Sequence, residues 1–173
     1  MHLAVTDIDW TSWTPEEDAT VLFVLRDGQI LLILKKRGLG AGKVNGPGGR
    51  IEPGERPIEG AVREVEEELH VTPTGVEHRG ELSFQWVEGY SLRVQVFVAS
   101  GCEGEATETE EAVPRWTDLD RIPYLEMWPD DAIWLPMVLA GGHVRGRFTY
   151  EGERMLDHQV LSRTRASSIP PAR

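Results

Sequence analysis

Three glutamates, Glu64, Glu67 and Glu68, stand at positions i, i+3 and i+4 in the run Arg63-Glu64-Val65-Glu66-Glu67-Glu68. On a helix that spacing brings carboxylates within reach of one another, where like charges repel. Arg63 reaches Glu67 one turn on and offsets part of that repulsion. A hard divalent cation offsets more, because clustered carboxylate oxygens are the ligands such ions take. The chemistry this allows is metal-assisted hydrolysis, in which the ion screens charged oxygens and acidifies a water. Taken alone, the run reads more readily as the solvated face of an acidic helix. The stretch before it, Arg37 to Glu55, tips the balance. It holds seven glycines and two prolines, a backbone able to approach a ligand closely and to lend it carbonyls.

These carboxylates need a helix to carry them, and the sequence supplies one. In "RPIEGAVREVEEEL", Pro57 suits a first turn. Ile58, Ala61, Val62, Val65 and Leu69 recur at helical spacing as one apolar stripe. The wheel is read with Glu64, Glu67 and Glu68 together on the side away from that stripe, and Glu66 nearer its edge and solvated. Around the helix lie strand signals. "TVLFVL" and "ILLILKK" flank an Asp27-Gly28 turn and are apolar on both faces, as strands covered on both sides are. A short strand is predicted near Gly49–Ile51, and another at "AVPRW". "ELSFQWVE" and "LRVQVFVA" alternate and meet around Gly89. "HVRGRFTY" and "RMLDHQVL" form a last hairpin at Glu151-Gly152. "WPDDAIWLPMVLAGG" carries the start and stop signals of a second helix, with Pro136 weakening its first turn or kinking it. This order predicts an α+β fold with a mixed β-sheet between helices. Residues 1–19 read as an irregular extension whose Trp10 and Trp13 cover an edge. Residues 20–160 read as the domain, and 161–173 as a flexible tail.

Composition narrows the function. The chain of 173 residues has 40% hydrophobic and 27% charged residues and a formal net charge of −11. That charge argues against nucleic-acid polymers and anionic membranes as partners. It is compatible with a polyphosphate if metal ions lie between. Cys102 is the only cysteine, so neither an intrachain disulfide nor a thiolate cluster is available. With no basic segment before an apolar run at the N-terminus and no apolar stretch near membrane length, a cytoplasmic monomer is expected.

Gly49, Glu55, Arg63, Glu64, Val65, Glu67, Glu68 and Val71 fill eight of the nine fixed positions of a pattern that resembles the Nudix box. The exception is His70, where the pattern has a glycine that ends the helix in a left-handed conformation. The resemblance implies the Nudix α/β/α sandwich and hydrolysis of a nucleoside diphosphate linked to some group X. It also implies Glu64, Glu67 and Glu68 as Mg²⁺ ligands (Mn²⁺ as substitute), with Gly48 adding a carbonyl. The general base is Glu67 or, from the acidic loop, Glu111, which is also a candidate ligand. Arg63 and Glu55 brace the loop by an ion pair.

The rest of the chain narrows the substrate. "LLILKKRGLGAGKVNGPGG", "ELSFQW" and "EMWPDDAIWLPMVL" are similar to the branch of that family that cleaves oxidised purine nucleoside triphosphates to monophosphate and pyrophosphate. By that resemblance Trp128 stacks on a purine, while Asp130 and Asp131 share a proton and read its edge. Asn45 joins them, Phe84 and Trp86 line the pocket, and Thr20 and Lys35 lie near sugar and phosphates. Each has a structural alternative: Trp128 capping a helix start, the acids favoured at a helix N-terminus, the aromatics in a core. Leu39 and Pro47 replace two phenylalanines of that branch. A hydrolase of another nucleotide, such as ADP-ribose or a dinucleoside polyphosphate, is the competing enzyme. A non-catalytic nucleotide sensor is the competing class.

Overall fold

A computed structural model describes residues 2–164. Its strands are β1 (Glu17–Arg26), β2 (Gln29–Lys35), β3 (Val44–Asn45), β4 (Gly48–Arg50), β5 (Thr72–Trp86), β6 (Ser91–Glu103), β7 (Ala112–Asp118), β8 (His143–Glu151) and β9 (Arg154–Arg163); its helices are α1 (Pro57–Leu69) and α2 (Asp131–Leu139). The strands join in the order β3-β2-β1-β6-β5-β8-β9, with β4 added to β1 and β7 to β2. β1 runs parallel to β6 and β5 parallel to β8, while the hairpin partners are antiparallel. The sheet is mixed, as the strand and helix order predicts.

Alternation along the strands builds two cores. Phe23, Ile30, Leu32, Phe84 and Trp86 face Trp134, Leu135 and Val138 of α2. Leu22, Val24, Leu31 and Ile33 face Ala61, Val65 and Leu69 of α1. Strands buried on both faces explain why "TVLFVL" and "ILLILKK" carry no polar alternation. The turn between them has Asp27 and Gly28 at positive φ, 51° and 75°, as a type I′ hairpin requires.

The predicted boundaries move in three places. β1 begins at Glu17, before Thr20, and β9 runs to Arg163, past residue 160; residues 165–173 of the expected tail lie outside the described residues. The glycine-rich stretch holds two short strands, β3 and β4, where one was predicted. The N-terminal extension is docked: Val5 is buried, its N–H donates to Asp157 Oδ2 at 2.8 Å, and Thr149 Oγ1 donates to the Leu3 carbonyl at 2.6 Å. Trp13 Nε1 donates to Gln85 Oε1 at 2.9 Å, which sets it over the face of the sheet.

His70 takes the left-handed conformation, φ 59°, despite its side chain. That costs about 1–2 kcal/mol relative to a right-handed residue. A loop from far along the chain offsets it. Thr107 N–H donates to the Leu69 carbonyl at 2.9 Å, and Thr109 Oγ1 donates to the Glu68 carbonyl at 2.8 Å. The end of α1 is thus held by hydrogen bonds that glycine alone does not make.

Candidate active site

Glu68 does not lie opposite the apolar stripe. It sits seven residues after Ala61, about 20° away on the helix, and is 3% exposed while Glu67 is exposed. The carboxylates the structure gathers are therefore Glu64, Glu68 and Glu111, each offering an oxygen within 4.8 Å of the others. Glu67 stands outside this trio, held by Arg63 Nη1 at 3.3 Å. Glu111 arrives from the acidic loop, and one hydroxyl fixes it there. Thr109 Oγ1, bonded to the Glu68 carbonyl, also accepts the Glu111 N–H at 3.2 Å. Arg37 pairs with Glu111 at 3.0 Å.

Few donors reach the trio. Glu68 accepts the Gly48 N–H at 3.2 Å, and Glu64 accepts Arg63 Nη1 at 2.9 Å. Burial raises the pKa of Glu64. Burial, and next the Glu64 charge, pushes Glu68 up to about 8. Such a cluster favours protons or a cation over solvation, and its all-oxygen donor set suits Mg²⁺ or Mn²⁺. Gly49 leaves room for it: a Cβ at Gly49 would meet the Glu64 carboxylate carbon at 2.5 Å. Arg63 braces the site from outside the cleft. Nε and Nη2 grip Glu55 at 2.7 and 3.0 Å, and Nη2 also holds the Arg50 carbonyl at 3.0 Å. This guanidinium holds the Glu55 carboxyl well down, to about 2.

A cleft of about 370 Å³ runs from the trio to the N-terminus of α2. Apart from Arg63 and Glu67, every site residue predicted from sequence lines it. Gly48 and Lys35 lie near the carboxylates. Thr20 presents a buried hydroxyl that has no hydrogen-bond partner among the described residues. Asn45 spends its Nδ2 on the Lys43 and Gly40 carbonyls, at 3.0 and 3.4 Å, leaving Oδ1 as a free acceptor. Phe84 and Trp86 form one wall. Trp128 meets Trp86 and Tyr150 edge-on, with centroids 6.3 and 5.6 Å apart. Leu39 lines the mouth and is half exposed, whereas Pro47 is buried and its carbonyl accepts the Leu22 N–H at 2.9 Å.

The two acids at the far end are held unequally. Asp130 Oδ1 accepts the Tyr150 hydroxyl at 2.5 Å, and Oδ2 accepts Trp134 Nε1 at 2.7 Å. Burial raises both pKa values, and Asp131 is raised further by the adjacent Asp130 charge. Donors on both oxygens make Asp130 the ionised partner, and Asp131 keeps the proton. Sequence reasoning passed over Tyr150, Trp134 and Thr109. Trp134 was readable, since it lies four residues after Asp130, one helical turn away. Tyr150 reaches Asp130 only through strand pairing, which local spacing does not report.

A NUDIX domain model matches residues 15–138. The chain is 38% identical over 143 residues to an oxidized purine nucleoside triphosphate hydrolase of Danio rerio, covering 82% of this chain and 92% of the relative. It is also 38% identical over 135 residues to the protein of the same name from Mus musculus, covering 78% and 86%. A crystal structure of a MutT protein from Bacillus halodurans superposes with a TM-score of 0.74 at 27% identity, covering 83% and 97%. In its box, its mixed sheet between two helices and its similarity over most of its length, the chain belongs to the Nudix family.

Proposed function

We propose that the protein hydrolyses oxidised purine nucleoside triphosphates, of the 8-oxo-dGTP and 2-hydroxy-dATP type, to monophosphate and pyrophosphate, as a cytoplasmic monomer that cleanses the nucleotide pool. The observation that carries this is one cleft with a carboxylate trio at one end and a tryptophan with a buried acid pair at the other. No helix among the described residues is long and apolar enough to cross a membrane. The names of the zebrafish and mouse relatives support the same substrate class.

Glu64, Glu68 and Glu111, with the Gly48 carbonyl, would hold Mg²⁺ or Mn²⁺. Such an ion supplies positive charge to phosphate oxygens and makes water a stronger acid. Glu67 lies one turn from Glu64 but outside the trio, so it would take the proton from the attacking water as a group that holds no metal, braced by Arg63 at 3.3 Å. Glu111 is its competitor for that role. Lys35 and the unpaired Thr20 hydroxyl face the phosphates and sugar. Trp128 stacks on the base, a contact worth roughly 1–3 kcal/mol. Asp131 donates to an acceptor on the purine edge, Asp130 orders its neighbours, and Asn45 Oδ1 accepts from an exocyclic N–H.

A panel of nucleotides with Mg²⁺, scored by pyrophosphate release, tests this. The oxidised purine triphosphates should exceed dGTP at least about tenfold in kcat/KM, the discrimination one buried hydrogen bond supplies. Equal rates on oxidised and canonical forms would sink the substrate assignment.

A further inference from the structure

A second concavity of about 210 Å³ lies away from the cleft, on the sheet face that α1 leaves bare. Its floor is a lattice set by strand register. Ser83 of β5 lies between Arg93 of β6 and Arg147 of β8, and Glu81 one step along lies beside Arg145. Its wall is the N-terminal extension, through Trp10 and Trp13, most of which precedes the family match at residue 15. Three arginines thus face one glutamate, in a chain whose net charge is −11.

The three arginines outnumber the two carboxylates that reach them, Asp18 and Glu81. Arg93 is gripped by Asp18, at 2.7 and 3.3 Å, which fixes the guanidinium in place. Arg145 approaches Glu81 only to 3.6 Å, and its side chain is 67% exposed. Arg147 has no carboxylate within ion-pair reach among the described residues; its guanidinium lies over the Trp10 ring at 5.4 Å. Like charges on neighbouring strands repel, and guanidinium forks are the geometry that reads phosphate oxygens. The Trp10–Trp13 pair, centroids 5.1 Å apart, closes one side against water.

We propose that this concavity is a second ligand site, built by the N-terminal extension, that takes a small phosphate-class oxyanion: free pyrophosphate or the phosphoryl group of a nucleotide. The volume fits a phosphate or pyrophosphate group and not a whole nucleoside triphosphate. The site is independent of the carboxylate cleft, which without metal repels the same ligands.

The test is calorimetric titration of the full chain with inorganic pyrophosphate, without divalent metal, and in a separate arm with a nucleoside monophosphate. Both arms should show saturable binding that weakens with added salt. Arg145→Glu should weaken it at least tenfold in each arm, and with a side chain 67% exposed Arg145 gives up no core packing. Arg147→Ala should do the same and shift the Trp10 indole N–H resonance. Arg145→Glu should leave turnover in the cleft unchanged, which separates this site from the one proposed above. Absence of binding in both arms, or binding that Arg145→Glu leaves intact, overturns the proposal.

Discussion

The two ends of the cleft use the same residue type to opposite effect. At the α1 end, Glu64, Glu68 and Glu111 gather with few donors between them, and Glu68 is buried with only the Gly48 N–H on its carboxyl. At the α2 end, Asp130 is buried just as deeply but has a donor on each oxygen, Tyr150 and Trp134. The first arrangement sets three carboxylates together with one donor on each, so as anions they repel and call for a cation. The second is satisfied at Asp130, which on the proposed reading leaves Asp131 to offer its proton to a neutral partner. Burial raises a carboxyl's pKa in both places. What decides the chemistry is whether donors or other carboxylates fill the space around it.

The largest effect should come from breaking the first end. Glu68→Gln should lower kcat/KM by on the order of 10²–10⁴-fold, the range for groups essential to activating water. Metal-free Glu68→Gln should also melt above the native protein at pH 8, because glutamine has no charge to bury. Mg²⁺ should raise the Tm of the native protein and leave that of Glu68→Gln unmoved. Glu67→Gln sharpens the contrast: turnover should fall comparably while the Mg²⁺-induced rise in Tm survives. Retained turnover in Glu67→Gln would move the proton-taking role to Glu111.

A smaller effect should come from loosening the trio without touching a carboxylate. Thr109→Ala removes the hydroxyl that ties the Glu68 carbonyl to the Glu111 N–H. Groups that orient metal ligands cost roughly 10–100-fold in affinity when lost. The concentration of Mg²⁺ giving half-maximal activity should rise by that factor, with little change in discrimination between oxidised and canonical purines. Unchanged Mg²⁺ dependence would mean that Arg37, paired with Glu111, holds it well enough alone.

How much of this was readable depends on how local each cause is. Helix α1 was legible from Pro57 and its apolar stripe, because those signals act within a few residues. Its end was not: His70 departs from the expected glycine, and Thr107 and Thr109 hold the terminus from a loop nearly forty residues on. The trio was half legible. Glu64 and Glu68 follow from helix spacing, but the side on which Glu68 falls was misread. That Glu111, and not Glu67, lies beside them is a matter of loop placement. Trp128, Asp130 and Asp131 were legible by resemblance, while Tyr150 enters by the parallel pairing of β5 with β8. The extension read as irregular because its hydrogen bonds run to β5, β8 and β9, far away in the chain.

The smallest effect tests the second end through pH. Burial, with Asp130 beside it, holds the Asp131 carboxyl well above its ordinary value. Between the unfolded and folded pKa values the native state then binds more protons than the unfolded one, so this group's contribution to stability falls as pH rises. Asp131→Asn keeps the shape and carries no proton to lose. Its Tm should match the native value near pH 4 and exceed it by a growing margin toward pH 8. Each kcal/mol of that margin reads as about 2–4 °C in a chain of this size. Asp130→Asn should behave oppositely, since an amide cannot accept from both Tyr150 and Trp134, and its Tm should lie below the native value at every pH above 4. A margin for Asp131→Asn that stays constant with pH would show that Asp131 is not the partner that keeps the proton, and the two acids would have to exchange roles.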